Sequence, residues 1–183
     1  MEFFDLSLAG LKIVTPKVHR DPRGYFFEHF RTDEFNEAGI GGPFPQENHS
    51  YSQKNTLRGM HLQPGQAKLV SVAAGSIYDV AVDLRPDSPT FRLWQGVYLN
   101  DEEHKSLYIP DGFAHGFCVL SEDAHVIYKV SATYSPSDET GFRYDDAEVG
   151  ISWPVTHPIL SERDVSLPSF RRCTESLSVA KKG

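Results

Sequence analysis

Short segments in which apolar and polar residues alternate dominate the middle of the chain, and this pattern constrains the fold most. In residues 77–85 every second side chain is apolar, and in residues 93–99 the same spacing places Leu93, Gln95, Val97 and Leu99 on one face. Further short runs cover residues 107–109, 114–120 and 125–134, with glycine or proline at the turns between them. A period of two is typical of β-strands, and many short strands predict an antiparallel sandwich or barrel. A Greek-key sheet that serves only as a binding module is the alternative.

Helix signals are few, and the length favours one domain. Residues 32–38 are predicted to form about two helical turns ending at Gly39, a common helix terminator. A chain of 183 residues suits a single domain, which we place at residues 1–170. Residues 171–183 end in Ala-Lys-Lys-Gly and are predicted to be a loose C-terminal tail.

The charge balance restricts the class of partner. Eighteen basic against 25 acidic residues give a formal net charge of −7, which argues against a general nucleic-acid binder. An anionic ligand would therefore need basic groups concentrated locally.

Cellular location is inferred from segments that the sequence lacks. No apolar run approaches a membrane span, and the N-terminus has no basic region of a signal peptide. The two cysteines, Cys118 and Cys173, provide neither a disulfide framework nor a metal cluster. We therefore expect a cytoplasmic protein with no membrane partner.

Chemistry-bearing residues concentrate between residues 48 and 70. Arg58 supplies a planar cation suited to phosphate, and His61 is a base near neutral pH. Lys68 is suited to stabilising a developing oxyanion. Ordinary polar residues on a solvated strand pair are the alternative interpretation of this segment.

Eight short strings, taken in order, carry a family resemblance. They are PRGYFFE at 22–28, LRGMH at 57–61, KLV at 68–70, DVAVDLR at 79–85, SPT at 88–90, IPDGFAHGF at 109–117, YK at 128–129 and LSERD at 160–164. Together they resemble the dTDP-4-dehydrorhamnose 3,5-epimerase family over about residues 3 to 168. The resemblance implies an all-β, cupin-type antiparallel β-barrel with a few short helices. It also implies a homodimer that inverts carbons beside the 4-keto group of a dTDP-linked 6-deoxysugar.

The resemblance assigns four catalytic roles. His61 matches the general base, Asp164 matches the carboxylate that orients it, and Tyr128 matches the proton donor. Lys68 matches a lysine near the sugar carbonyl. This set suits the chemistry, because protons on C3 and C5 are acidified by the C4 carbonyl and leave an enolate. A base on one ring face and an acid on the other can then invert each carbon.

The resemblance also implies a substrate-binding set. Because the N-terminal segment of family members crosses to the partner subunit, Arg23 and Glu28 are expected to serve the neighbouring site. Tyr134 is placed at the nucleotide end, since six residues separate it from Tyr128 along an assumed straight strand. Arg163 stands where the family commonly has lysine. The full set is Arg23, Glu28, Gln46, Asn48, Arg58, His115, Tyr134, Glu139 and Arg163.

No cofactor or metal is expected. The reaction needs no redox group, and no Gly-rich dinucleotide motif is present. Metal-binding cupins use a His-x-His pair with a later carboxylate, whereas this chain has His61, Leu62 and Gln63. A zinc or iron site requires three or four good ligands, and this triplet supplies one imidazole. His115 is the candidate for a second imidazole near His61.

Other interpretations remain open at this stage. Asp164 fits a helix cap with Ser161, Arg23 fits a type I turn, and Tyr128 and His115 fit ordinary core positions. A mono-epimerase acting on C3 or C5 alone is the alternative enzyme, as is an epimerase of a differently linked nucleotide sugar. A catalytically silent sugar-nucleotide binding module is the non-enzymatic alternative.

Overall fold

Two antiparallel sheets pack face to face in the computed structural model, which describes residues 1–180. The six-stranded sheet has the order β1-β2-β10-β7-β12-β5, and the five-stranded sheet has the order β13-β6-β11-β8-β9. β3 and β4 form a separate hairpin. The elements are β1 (Glu2–Asp5), β2 (Lys12–Thr15), β3 (His19–Asp21), β4 (Gly24–Phe26), α1 (Thr32–Glu37), β5 (Gln46–Gln53), β6 (Leu57–Leu62), β7 (Lys68–Ala74), β8 (Ser76–Asp83), β9 (Trp94–Asn100), β10 (Ser106–Ile109), β11 (Phe113–Val119), β12 (Asp123–Val130), β13 (Thr140–Gly141), α2 (Glu162–Ser166) and α3 (Phe170–Ala180).

The largest apolar cluster lies between the two sheets. It joins Val70 and Val126 of the six-stranded sheet to Ala81 and Phe117 of the five-stranded sheet. The opposite side chains of β8, such as Val80, pack on the outer face under α3. β8 is therefore buried on both faces, which explains why its apolar residues extend beyond strict alternation. The predicted all-β, antiparallel cupin-type architecture is confirmed.

α1 forms close to the predicted residues 32–38, and it covers the outer face of the six-stranded sheet. Phe35 is buried there against Leu69 and Tyr108. The helix ends before Gly39, whose φ of +77° suits glycine.

The prediction of a loose C-terminal tail was wrong for most of its length. α3 covers Phe170–Ala180, and its backbone begins with the N–H of Phe170 donating to Asp146 (2.9 Å). Phe170 and Cys173 are buried, and the Phe170 ring packs edge-on against Phe142 at 5.2 Å. Burial of this apolar face holds the segment in place. Residues 181–183 lie outside the described residues.

The prediction of one strand over residues 125–134 was also wrong at its C-terminal end. β12 stops at Val130, and the chain then turns. Tyr134 is consequently not placed by strand geometry, and the estimate of its separation from Tyr128 along a straight strand does not apply.

Candidate active site

A cavity of about 480 Å³ opens at one end of the space between the sheets. Every site residue predicted from sequence lines it except Arg23 and Glu28. These lining residues come from both sheets, from α2 and from the segment between β12 and β13. They are Gln46, Asn48, Arg58, His61, Lys68, His115, Tyr128, Tyr134, Glu139, Arg163 and Asp164.

His61 and Asp164 form a hydrogen-bonded pair on the cavity wall. Nε2 of His61 lies 2.6 Å from Oδ1 of Asp164, and the Ser161 hydroxyl donates to Oδ2 of Asp164 (2.9 Å). Burial raises the pKa of Asp164, but the hydrogen bonds from His61 and Ser161 outweigh it and the pKa is lowered. The carboxylate therefore stays ionised and orients the imidazole.

Both interpretations of Asp164 hold at once. Ser161 caps α2, because its hydroxyl oxygen accepts from the backbone N–H of Asp164 (3.1 Å). The same short helix turns the Asp164 side chain onto His61. The cap is thus the local device that presents the carboxylate.

A second histidine–aspartate pair lies beside the first. His115 on β11 is the register partner of His61 on β6, and its Nε2 lies 2.9 Å from Oδ2 of the fully buried Asp79. Burial lowers the pKa of His115, and Asp79 opposes this shift. Asp79 was missed as a site residue, although a carboxylate on the face of β8 that carries Ile77 and Ala81 was an available signal.

A glycine contact brings these two strands together. Gly59 has a φ of +139°, and a Cβ at this position would lie 2.6 Å from Cα of Gly116. Any larger residue would separate β6 from β11 there. The close approach keeps His61 and His115 on the same wall of the cavity.

Lys68 and Tyr128 face the cavity from the other sheet. Burial lowers the pKa of Lys68 to about 8, and attraction to Glu139 and Asp79 only partly opposes this effect. Burial raises the pKa of Tyr128, so its phenol is protonated at neutral pH. The cavity thus holds a cation and a proton donor opposite the imidazoles.

The rim of the cavity carries a polar network. Nε of Arg58 donates to the Ser52 hydroxyl (3.0 Å), which fixes the guanidinium. Arg163 forms an ion pair with Glu139, and the Tyr134 hydroxyl donates to the same carboxylate (2.9 Å). Further lining residues that sequence reasoning did not place in the site are Ser50, Gln66, Phe117 and Ser161.

Arg23 and Glu28 lie outside this cavity. The Arg23 side chain is 90% exposed beside the β3–β4 turn and pairs with Asp21 (2.5 Å). Glu28 pairs with Arg31 (2.6 Å). Within one chain, neither residue contributes to the site.

Within residues 1–180, no group of three or more His, Cys, Asp or Glu side chains is arranged to hold a metal ion. None of the helices in this part of the chain is long and apolar enough to cross a membrane.

Comparison with known proteins matches this architecture to one family. A family model described as dTDP-4-dehydrorhamnose 3,5-epimerase matches residues 5–172. The chain is 45% identical over 174 residues to the dTDP-4-dehydrorhamnose 3,5-epimerase of Shigella flexneri, covering 93% of this chain and 96% of that protein. It is 41% identical over 169 residues to the dTDP-4-dehydrorhamnose 3-epimerase of Streptomyces niveus, covering 90% and 81%.

A solved structure agrees with these sequence matches. The dTDP-6-deoxy-D-glucose-3,5-epimerase of Legionella pneumophila, in complex with dTDP-4-keto-L-rhamnose, superposes with a TM-score of 0.90 at 42% identity. The match covers 93% of each chain.

Proposed function

Because this chain belongs to the dTDP-4-dehydrorhamnose 3,5-epimerase family, an isomerase family, we propose that it inverts C3 and C5 of dTDP-4-dehydro-6-deoxy-glucose. The product is dTDP-4-dehydro-rhamnose, an intermediate of rhamnose biosynthesis. One observation carries the proposal: His61 comes from the five-stranded sheet and Tyr128 from the six-stranded sheet, and both line one cavity.

The first step is proton removal by His61. Its Nε2 is hydrogen-bonded to Asp164, so Nδ1 is the nitrogen available as a base. Asp164 is ionised and stabilises the imidazolium that forms when the proton arrives. The carbon beside the C4 carbonyl becomes an enolate, with its negative charge on O4.

The cation of Lys68 stabilises this enolate oxygen. Loss of such an oxyanion partner typically costs about 2.7–4 kcal/mol of transition-state stabilisation. Lys68 is buried, so its interaction with the oxyanion is weakly screened. His115, held by Asp79, provides a second group on the opposite wall.

Tyr128 completes the inversion by returning a proton to the opposite ring face. Its raised pKa keeps the phenol protonated until the enolate forms. Before the sequence is repeated at the second carbon, the proton gained by His61 passes to solvent and the Tyr128 phenolate takes a proton from solvent. No redox group takes part, since substrate and product have the same oxidation state.

The charged half of the substrate requires basic groups on an otherwise acidic protein. Arg58 and Arg163 line the cavity and are suited to the diphosphate. We assign Gln46, Asn48 and Glu139 to the same nucleotide-binding end. Arg23 and Glu28 do not line the cavity of their own chain, and we assign them to the cavity of a partner subunit in a homodimer, as the family resemblance implies.

Solvent exchange tests the proposed function. The protein is incubated in deuterated water with dTDP-4-dehydro-6-deoxy-glucose, and C3 and C5 are followed by NMR. Label at both carbons with formation of the rhamno product is expected. No exchange at either carbon would reject an epimerase and leave a binding module.

A mono-epimerase is the second candidate, favoured by the similarity to the Streptomyces niveus 3-epimerase. The same experiment separates the two, because a mono-epimerase would label one carbon only. Parallel reactions with a UDP-linked analogue decide the nucleotide preference.

A further inference from the structure

Three glutamine side chains hold the segment that follows β12. Gln63 donates from Nε2 to the carbonyl of Thr133 (3.0 Å), and its Oε1 accepts from the N–H of Ser135 (2.9 Å). Gln46 accepts from the N–H of Tyr134 (2.8 Å), and Gln66 donates to the carbonyl of Ala132 (2.8 Å). β12 ends at Val130, so backbone groups of residues 132–135 are bonded by these side chains rather than by a neighbouring strand.

Gln63 has the central place in this arrangement. Its side-chain amide binds the backbone on both sides of Tyr134, and the residue is only 6% exposed. A buried amide with both ends bonded has one favourable orientation, because any rotation leaves buried polar groups unsatisfied. It therefore fixes the backbone of Tyr134 rather than merely contacting it.

Tyr134 transmits this position to the charged rim of the cavity. Its hydroxyl donates to Glu139 (2.9 Å) and accepts from the Arg163 guanidinium (3.4 Å). Glu139 also pairs with Arg163. The location of the Arg163 cation, which suits a diphosphate, thus depends on where the Tyr134 ring is held.

We propose that Gln63 is a positioning residue that, through Tyr134, sets the affinity of the cavity for the nucleoside diphosphate half of the substrate. The identity of that ligand rests on the proposed function. Gln63 stands where metal-binding cupins have their second histidine. In this chain the position serves the binding of the nucleotide.

The test is a double-mutant cycle with dTDP itself as the probe. The variants are Gln63→Glu, Tyr134→Ala and the double variant, and dTDP binding is measured by calorimetry. The introduced carboxylate retains an acceptor for the N–H of Ser135 but presents an oxygen, in place of a donor, to the Thr133 carbonyl. We expect Gln63→Glu to weaken dTDP binding roughly 10-fold, the equivalent of about 1.4 kcal/mol. In the Tyr134→Ala background the same change should weaken binding less than about twofold.

Controls separate positioning from general destabilisation. Gln95→Glu is the matched control, since Gln95 also binds a backbone N–H, but that of Ser7 rather than one beside Tyr134. It should leave dTDP affinity unchanged. Gln63→Met, which removes both hydrogen bonds, should weaken dTDP binding further; if it does not fold, the Gln63→Glu cycle decides alone. Turnover of Gln63→Glu should show a raised KM with kcat within about threefold of the wild type.

Failure of the inference about Gln63 can be distinguished from failure of the proposed function. Equal losses of dTDP affinity from Gln63→Glu with and without Tyr134 would overturn the inference, and so would no loss at all. Binding of dTDP is measured without turnover. A wild-type protein that binds dTDP but exchanges no solvent hydrogen would therefore reject the epimerase while the cycle still decides the role of Gln63.

Discussion

His61 and Asp164 lie 103 positions apart in the chain, yet Nε2 of the histidine is 2.6 Å from Oδ1 of the aspartate. The imidazole belongs to β6, and the carboxylate belongs to the first turn of α2. Their hydrogen bond fixes the tautomer in which Nε2 carries the proton, which leaves Nδ1 as the base. The predictions for His61, Tyr128 and Lys68 depend on this pair and on the groups that face it across the cavity.

His61→Ala should abolish proton exchange at both C3 and C5. Loss of a general base typically costs about 10²–10⁴-fold in rate, and exchange should fall by at least that factor. Binding of dTDP should stay within about threefold of the wild type, because the nucleotide end is untouched. NMR in deuterated water and calorimetry measure the two effects. His125→Ala, at a histidine of β12 that does not line the cavity, is the control and should be fully active.

Tyr128→Phe should separate exchange from inversion. His61 can still remove a proton and return deuterium to the same face, so some exchange persists. Return to the opposite face lacks its acid, so the yield of inverted sugar should fall about 10²-fold or more. NMR of the product stereochemistry measures this, with the exposed Tyr98→Phe as control. Unimpaired inversion by the Tyr128→Phe protein would contradict the assignment of the acid.

Lys68 should set an alkaline limit on turnover. Its pKa of about 8 means that the ammonium, which stabilises the enolate, is lost as the pH rises through that value. We expect kcat to fall above about pH 8, while the phenol of Tyr128 remains protonated. Lys68→Arg should lower kcat but abolish its fall above about pH 8, because a guanidinium stays charged. The value of kcat is measured between about pH 6 and pH 10. Lys105→Arg, at a lysine outside the cavity, is the control. If kcat of Lys68→Arg falls above about pH 8 as it does in the wild type, the prediction is refuted.

Asp83 should make the fold sensitive to acid. Burial raises its pKa, but hydrogen bonds from Arg85, Ser88 and Thr90 outweigh burial and lower the pKa to about 2. The stabilisation is therefore complete above the ordinary value near 4 and is lost as the pH falls toward 2. A shift of this size corresponds to roughly 2 kcal/mol.

Asp83→Asn measures that contribution. Urea unfolding should show a loss of about 2–3 kcal/mol at pH 7, with a gap to the wild type that narrows below about pH 4. Asp87→Asn, at an exposed position in the loop after β8, should change stability by less than about 0.5 kcal/mol. A gap independent of pH would show that the carboxylate charge is not responsible.

Mixing two inactive variants tests the contribution of Arg23 across a homodimer. His61→Ala and Arg23→Ala chains, once exchanged, form mixed dimers in which one cavity has both native residues. Random exchange should restore about a quarter of wild-type activity. His61→Ala mixed with Tyr128→Phe is the matched control and should recover far less, since both residues belong to the same cavity. No recovery in the first mixture would place Arg23 outside the partner's site.

Much of the fold and site could be predicted from local sequence. The alternation in residues 77–85 and 93–99 corresponds to β8 and β9, and α1 ends before Gly39 as predicted. These features depend on near neighbours in the chain, so a sequence pattern records them. The motif strings likewise identified most residues that line the cavity.

The rest depended on contacts between distant segments. α3 is short and would be marginal alone, and only its packing against Phe142 and neighbouring residues makes it a helix. The turn after Val130 likewise has no local signature, and the position of Asp79 on β8 does not reveal that its partner is His115.

The sequence by itself determined the central strands such as β8 and β9, the class of fold and the chemical types that the site contains. The tertiary structure decided which of those groups meet: Asp164 with His61, and Gln63 with the backbone around Tyr134. The physical reason is the separation along the chain of the residues that interact. Strand periodicity is fixed by adjacent residues, whereas hydrogen bonds between residues 70 or more positions apart require the two sheets to be packed first.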